Sequence, residues 1–241
     1  VLLTVWSIEL WGVLSNLRKR VIQGTYDATS SRWWEMSNFI SIHNTKMIKT
    51  GKKLGIKIGT YALNPSLTCG KTCKGCYYMR LKRFPAVFKK ATSRYYETKQ
   101  RPWVKNMINE INAKSIDVIR CHDGGDIYSD VYMKKIVRLA RLMPNKLFYF
   151  YTQKVKRVKK HVNSFPENLI PIYSLKRKTR SLINTNTDRH ARVFKTMSEL
   201  LKAGYHSAMD NDLEAINPNH IKIGLVYHGV ARFEDSEFNV K

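Results

Sequence analysis

A chain of 241 residues can bury a sizeable core, and its 43% hydrophobic and 11% aromatic content excludes a disordered polymer. Forty-three basic residues face 18 acidic ones, a formal net charge of +25. That excess points to a polyanionic partner such as DNA or RNA, because neutralising phosphates releases counterions. No apolar run approaches the roughly 20 residues of a membrane span, so no membrane association is expected.

The first 35 residues differ from the rest. They hold Trp6, Trp11, Trp33 and Trp34, four of the five tryptophans, but a single lysine, Lys19, and a net charge of +1. A signal peptide carries its positive charge before the apolar stretch; here the charge follows it and Glu9 interrupts it. Residues 2–17 have the pattern of a short amphipathic helix. The segment also reads as an extension that is not native protein. Arg32-Trp33-Trp34-Glu35 back-translates to a purine- and G-rich tract just ahead of Met36, as a bacterial ribosome-binding site would. The expected organisation is an extension over 1–35 and one α/β domain over 36–241.

Strands and helices then alternate. Residues 54–63 (LGIKIGTYAL) read as a strand leading into a cysteine-rich loop. Residues 85–113 are mostly helical, with Pro102 opening a fresh helix. Residues 117–122 (DVIRCH) form a short strand ending at Gly124-Gly125, and Ser129 caps the next helix, where Tyr132, Ile136 and Leu139 recur at helical spacing. Leu147–Thr152 (LFYFYT) reads as a buried strand followed by a basic helix, and Leu169–Leu175 (LIPIYSL) as another strand. A helix over 193–203 stops at Gly204, and residues 205–209 and 221–227 supply the last strands. Six strands with helix-length connections predict a parallel sheet with right-handed crossovers, most economically a partial (β/α)6 barrel. Chemistry in such folds gathers at the C-terminal ends of the strands.

Cys69-Gly-Lys-Thr-Cys73-Lys-Gly-Cys76 packs three of the four cysteines into eight residues. Disulfides close poorly over loops this short, so the spacing indicates a metal in a reducing compartment. Gly70 and Gly75 permit tight wrapping, and Lys71 and Lys74 favour an anionic assembly and lower thiol pKa values. Three thiolates leave one iron of a 4Fe–4S cluster open, whereas a structural zinc needs a fourth ligand, with Cys121 or a histidine as candidates. The triplet resembles that of the radical S-adenosylmethionine superfamily, in which such a cluster reductively cleaves S-adenosylmethionine to a 5′-deoxyadenosyl radical. Gly75 stands where that superfamily usually has an aromatic residue, and Tyr77 and Tyr78 follow the third cysteine instead.

One strand later comes Cys121-His122-Asp123-Gly124-Gly125-Asp126. Its glycines let backbone approach a ligand, and its carboxylate accepts hydrogen bonds from an ammonium. The segment resembles the Gly-Gly-Glu with which radical enzymes hold the methionine amino group. The resemblance implies that Gly124, Gly125 and Asp126 bind S-adenosylmethionine. His122 is read as a packed residue rather than a ligand.

His43-Asn44-Thr45-Lys46, Cys76-Tyr77, Gly125-Asp126-Ile127-Tyr128-Ser129, residues 148–152 and Tyr173-Ser174 together resemble the phage gene product 88 family, over most of the chain after Met36. That resemblance implies a phage or prophage origin, hence the cytoplasm of a host cell, and supplies no substrate.

Tyr151, Thr152, Ser174, Asp210 and His228 fall at predicted strand ends. Thr152 and Ser174 are read as cofactor contacts. Asp210 and His228 are read as catalytic candidates: Asp210 also suits a ribose hydroxyl, and His228 suits proton donation. The basic stretches over 154–160 and 176–180 place positive charge around the same mouth. The expected protein is a radical S-adenosylmethionine enzyme that takes electrons from a donor and acts on a polyanion such as nucleic acid. The alternative is a non-enzymatic phage nucleic-acid-binding protein with a structural zinc or Fe–S loop.

Overall fold

The computed structural model describes residues 39–70, 73, 76–228 and 232–240. The extension over 1–35, its helix over 2–17, Met36, Lys71, Lys74 and Gly75 lie outside the described residues.

The chain enters through helix α1 (Thr45–Leu54), capped by the Asn44 side chain on the Lys46 and Met47 amides and ended by Gly55 in the left-handed region. Strand β1 (Ile58–Tyr61) leads to the short helix α2 (Pro65–Thr68), a 3-10 helix (Tyr77–Arg83), and helices α3 (Pro85–Glu97) and α4 (Trp103–Ala113). Then come β2 (Val118–Cys121), α5 (Asp130–Leu142), β3 (Leu147–Thr152), α6 (Val155–Lys159) and β4 (Leu169–Leu175). The last third contains β5 (His190–Phe194), α7 (Met197–Lys202), β6 (His206–Ser207), α8 (Leu213–Ile216) and β7 (Lys222–Val226).

Every strand pairing is parallel, in the order β1-β2-β3-β4-β5-β7-β6, and the sheet curls into a half-barrel. The expected α/β architecture is therefore present, with seven strands among the described residues rather than six. The added strand is β5, which overlaps the start of the helix expected over 193–203. That helix begins only at Met197, where Thr196 caps it through the Glu199 amide. β5 lacks an apolar alternation because its outer face uses His190, which pairs with the Tyr205 hydroxyl at 2.7 Å, and Arg192. The free edge of β1 is covered by the Ser41–Thr60 bridge, which uses backbone groups that would otherwise template association.

Strand periodicity divides the interior into two layers. Ile119, Cys121, Phe148, Phe150 and Leu169 face outward and pack under α4 and α5, against Trp103, Met107, Tyr132 and Ile136. Ile58, Val118, Tyr149, Ile172 and Ile223 face the concave side, where Met47 of α1 and Ala215 and Ile216 of α8 close the floor. Each fully buried side chain of this size contributes on the order of 1.5–3 kcal/mol.

The floor also contains a charge cluster. Asp212 is fully buried, with Lys46 Nζ 2.6 Å from Oδ1 and Arg120 Nη1 2.8 Å from Oδ2. The Tyr149 hydroxyl donates to the same carboxylate at 2.8 Å. Burial opposes ionisation of Asp212, but Arg120 and Lys46 outweigh it and hold the carboxyl below its usual range. Burial in turn lowers the Lys46 pKa, with Asp212 working against the drop. Replacing one partner of a buried pair strands the others, so Asp212→Asn is expected to lose about 3–5 kcal/mol of stability in urea denaturation at neutral pH. The contribution of Asp212 is complete above the ordinary carboxyl value of 3.8 and is lost as the pH falls below it. An unchanged denaturation midpoint in Asp212→Asn would remove this cluster from the account of the fold.

Candidate metal centre

The loop after β1 carries the cysteines to the C-terminal rim of the sheet. Asn64 starts the descent: its side chain accepts from the Ser66 amide and donates to Thr92 Oγ1 of α3. Cys69, Cys73 and Cys76 are free and half-buried, and all three line one cavity of about 580 Å³. The same cavity is lined by the turn after β2 (residues 122–126), by Gln153 after β3, by Ser174 and Lys176 at the end of β4, and by His228 after β7. Sites from opposite ends of the sequence thus converge where a parallel sheet gathers its loops.

Two lysines from later strands attend the cysteines. Lys176 Nζ lies 2.9 Å from Cys73 Sγ and donates to Gln153 Oε1 at 3.2 Å, while Lys154 Nζ donates to the Cys69 carbonyl at 2.7 Å. Burial pushes the Cys69 thiol up to about 12, and Asp126 adds to the rise. Burial also raises Cys73, and Lys176 opposes it. Thiols so placed stay protonated at neutral pH until a cation draws off the proton. Lys176 and Lys154 come from the two basic stretches expected around the mouth. A second cavity of about 510 Å³ shares Cys69, Cys73, Gln153 and Lys176 with the first, and Lys154 lines the second alone. Lys156, Arg157, Lys160 and Lys178 also line it.

Cys121 does not join the other cysteines. It follows Arg120 on β2, so alternation turns it to the outer layer, 1% exposed, beside Ile119 and Phe150. Burial raises its thiol to about 12. The cavity therefore presents three cysteines, and the fourth is a core residue.

The glycines of the turn have a packing role. A Cβ on Gly124 would lie 2.4 Å from the Tyr78 ring. At Gly125, with φ of +88°, a Cβ would meet the Leu63 carbonyl oxygen and Thr68 Oγ1 at 2.8 Å. The Leu63 amide donates to the Gly124 carbonyl at 2.8 Å, and the Asp126 amide to Thr68 Oγ1 at 3.2 Å. Only glycine allows this turn to lie directly against the segment that leads into Cys69.

Asp126 is 2% exposed and already engaged. Its carboxylate accepts from Thr152 Oγ1 at 2.6 Å and from the amides of Ile127 and Gln153 at 2.7 and 2.9 Å. Burial raises its pKa and these donors oppose the rise. Thr152 is thus a partner of Asp126 and is not among the cavity-lining residues, whereas Ser174 is. His228 lines the rim and is exposed, its Nδ1 3.0 Å from the Val226 carbonyl oxygen. Asp210 is exposed and outside the cavity lining; the buried acid of that segment is Asp212.

Several lining residues escaped the sequence reading. Asp123 precedes the two glycines, and its carboxylate accepts from Asn44 Nδ2 at 3.0 Å and lies 3.5 Å from Arg120 Nε. Asn44 and Lys46 belong to a segment singled out only for its family resemblance, yet both reach the cavity. Arg120 spans the floor, 5.2 Å from the Tyr151 ring centroid.

His122 has φ of +69° and is 4% exposed, packed as expected. Its Nε2 lies 2.9 Å from the Tyr132 hydroxyl, itself 2.9 Å from that of Tyr61. Burial lowers its pKa from 6.5 to about 3. Between those values the unfolded chain binds the extra proton, so stability falls as the pH is lowered through the window, at a limit of about 1.4 kcal/mol per pH unit. His122→Asn keeps a residue tolerant of positive φ and removes the titration. The expected outcome, read by urea denaturation across that window, is a flatter dependence on pH than in the parent chain.

A family model described as gene product 88 matches residues 34–239. No curated protein and no solved structure matches the chain. The matched span takes in every strand of the sheet and all three cysteines of the cavity, and the chain belongs to the gene product 88 family of phage proteins.

Proposed function

We propose that this chain is an iron–sulfur enzyme of the radical S-adenosylmethionine type, acting on a polyanionic substrate for which nucleic acid is the matching class. The observation that carries the reading is the convergence of Cys69, Cys73 and Cys76 with the turn over 122–126 on one 580 Å³ cavity, while Cys121 faces the opposite layer. The donor set fits the group: three half-buried thiols suit three corners of a 4Fe–4S cluster, and Lys176 beside Cys73 favours thiolate. A cavity of this volume is of the size that encloses a cofactor-sized ligand.

When bound, the cluster would deliver one electron from a donor to S-adenosylmethionine, breaking a carbon–sulfur bond to leave methionine and a 5′-deoxyadenosyl radical. The chain's own residues bind, orient and exclude water. Cys69, Cys73 and Cys76 hold the cluster. Backbone groups of Gly124 and Gly125 line the place of the methionine moiety, and Asp123, beside them on the cavity wall, accepts from its ammonium. Asp126 acts one step back, fastening that turn to β3 through Thr152 and Gln153. Ser174 suits a ribose hydroxyl, and His228 at the rim suits a proton donor to substrate. The natural setting would be the cytoplasm of a phage host; among the described residues no helix is long and apolar enough to cross a membrane.

A second reading, a non-enzymatic nucleic-acid-binding protein with a structural zinc or Fe–S loop, draws on the lysine-rich cavity beside Cys69 and Cys73. Anaerobic reconstitution separates the two. The enzyme reading expects about four irons and four sulfides per chain. The parent is expected to form 5′-deoxyadenosine on adding dithionite and S-adenosylmethionine, whereas Cys69→Ser, Cys73→Ser and Cys76→Ser are expected to lose both the cluster and this product. Asp123→Asn is expected to keep the iron and weaken cofactor binding at least tenfold in equilibrium dialysis, the loss of one charge-assisted hydrogen bond. A chain that takes zinc at the three cysteines, or forms a cluster that neither binds nor cleaves the cofactor, refutes the enzyme reading.

A further inference from the structure

A second constellation of ligating side chains lies at the other end of the sheet. His206 opens the edge strand β6, Glu214 lies on α8, and His220 sits in the turn just before β7. Because the strands are parallel, these positions are at the N-terminal ends of β6 and β7, whereas the cysteines follow the C-terminal end of β1.

The His206 and His220 rings stack face to face, centroids 3.5 Å apart and planes within 6° of parallel. Glu214 Oε2 is in hydrogen-bond contact with His220 Nδ1 and lies 3.9 Å from His206 Nδ1. One ligand atom from each residue falls within 4.8 Å of the other two. Side-chain exposures of 46% for His206, 22% for Glu214 and 12% for His220 grade from open to enclosed, so solvent reaches one side.

Nδ1 of both rings is turned toward the same Glu214 oxygen, so two imidazoles and one carboxylate share one small space. The turn is braced independently of any ion: Arg189 donates to the carbonyls of Ala215, Asn217 and Pro218 at 3.1, 2.8 and 2.8 Å. The backbone between Glu214 and His220 is therefore held by the fold.

We propose that His206, Glu214 and His220 bind one divalent transition-metal ion of the zinc class, with water completing the shell. Two imidazoles and one carboxylate form a known three-residue zinc set, and the nitrogen share argues against magnesium or calcium. The ion would fasten three consecutive elements at the sheet edge, where β6 is two residues long and pairs on one side only. Its donors share nothing with the cysteine cavity, so it stands or falls apart from the radical-enzyme reading.

The test uses the full chain, stripped with chelator and titrated with Co²⁺ as a spectroscopic probe and with Zn²⁺ in competition with a chromogenic chelator. One equivalent of Co²⁺ is expected in a nitrogen- and oxygen-ligated environment, showing visible bands without the near-ultraviolet sulfur charge-transfer absorption that binding at the cysteines would give. His206→Ala, whose side chain is solvent-facing, and Glu214→Gln are expected to weaken that binding at least a hundredfold while keeping the far-ultraviolet circular dichroism of the parent. Zn²⁺ should raise the melting temperature of the parent and of a Cys76→Ser variant, and leave that of His206→Ala unmoved. Cobalt bound only with the sulfur band, or equal affinities in parent and His206→Ala, overturns the assignment.

Discussion

Asp126 accepts hydrogen bonds from Thr152 Oγ1 and from the amides of Ile127 and Gln153, while its own amide reaches Thr68 next to Cys69. One buried residue thereby fixes the turn after β2 to the end of β3 and to the threshold of the cysteine loop. A buried carboxylate is tolerated only when its lone pairs are met, and here the groups that meet them belong to the segments forming the cavity wall. Gly124 and Gly125 make the arrangement possible by removing the two Cβ atoms that would collide with Tyr78, Leu63 and Thr68. The two motifs of the candidate centre are thus one mechanical unit.

Beneath that unit the floor is electrostatic. Lys46, Arg120 and Tyr149 come from α1, β2 and β3 and converge on Asp212. Arg120 also faces Asp123 and the ring of Tyr151, so the cation that braces the floor reaches the cavity lining as well. The outer layer, by contrast, is aromatic and aliphatic and takes up Cys121 as an ordinary core residue. The division between the layers follows from period-two alternation, which turns Cys121 away from the cavity that Cys69, Cys73 and Cys76 line.

That alternation explains what was legible in the sequence. Leu147–Thr152 and Leu169–Leu175 were bounded correctly because strands covered on both faces read as unbroken apolar or aromatic runs. β5 was hidden because His190 is satisfied by Tyr205, a contact that no local pattern encodes. Asp212, and not the exposed Asp210, is the buried acid of the Asp210-Asn211-Asp212 segment, and local sequence does not say which aspartate meets Lys46 and Arg120, which are 166 and 92 positions away. The cysteine triplet and the paired glycines were legible because tight spacing is itself a geometric statement. The His206–Glu214–His220 group was not, since its members share no motif and meet only through the ordering of β6 and β7.

Cys69 and Cys73 border both cavities, the mixed one that holds the turn over 122–126 and the one rich in lysine and arginine. They act as a partition rather than the bottom of a pit. The two cysteines thus face a largely apolar chamber on one side and a cationic vestibule on the other, and each side opens to solvent by its own mouth.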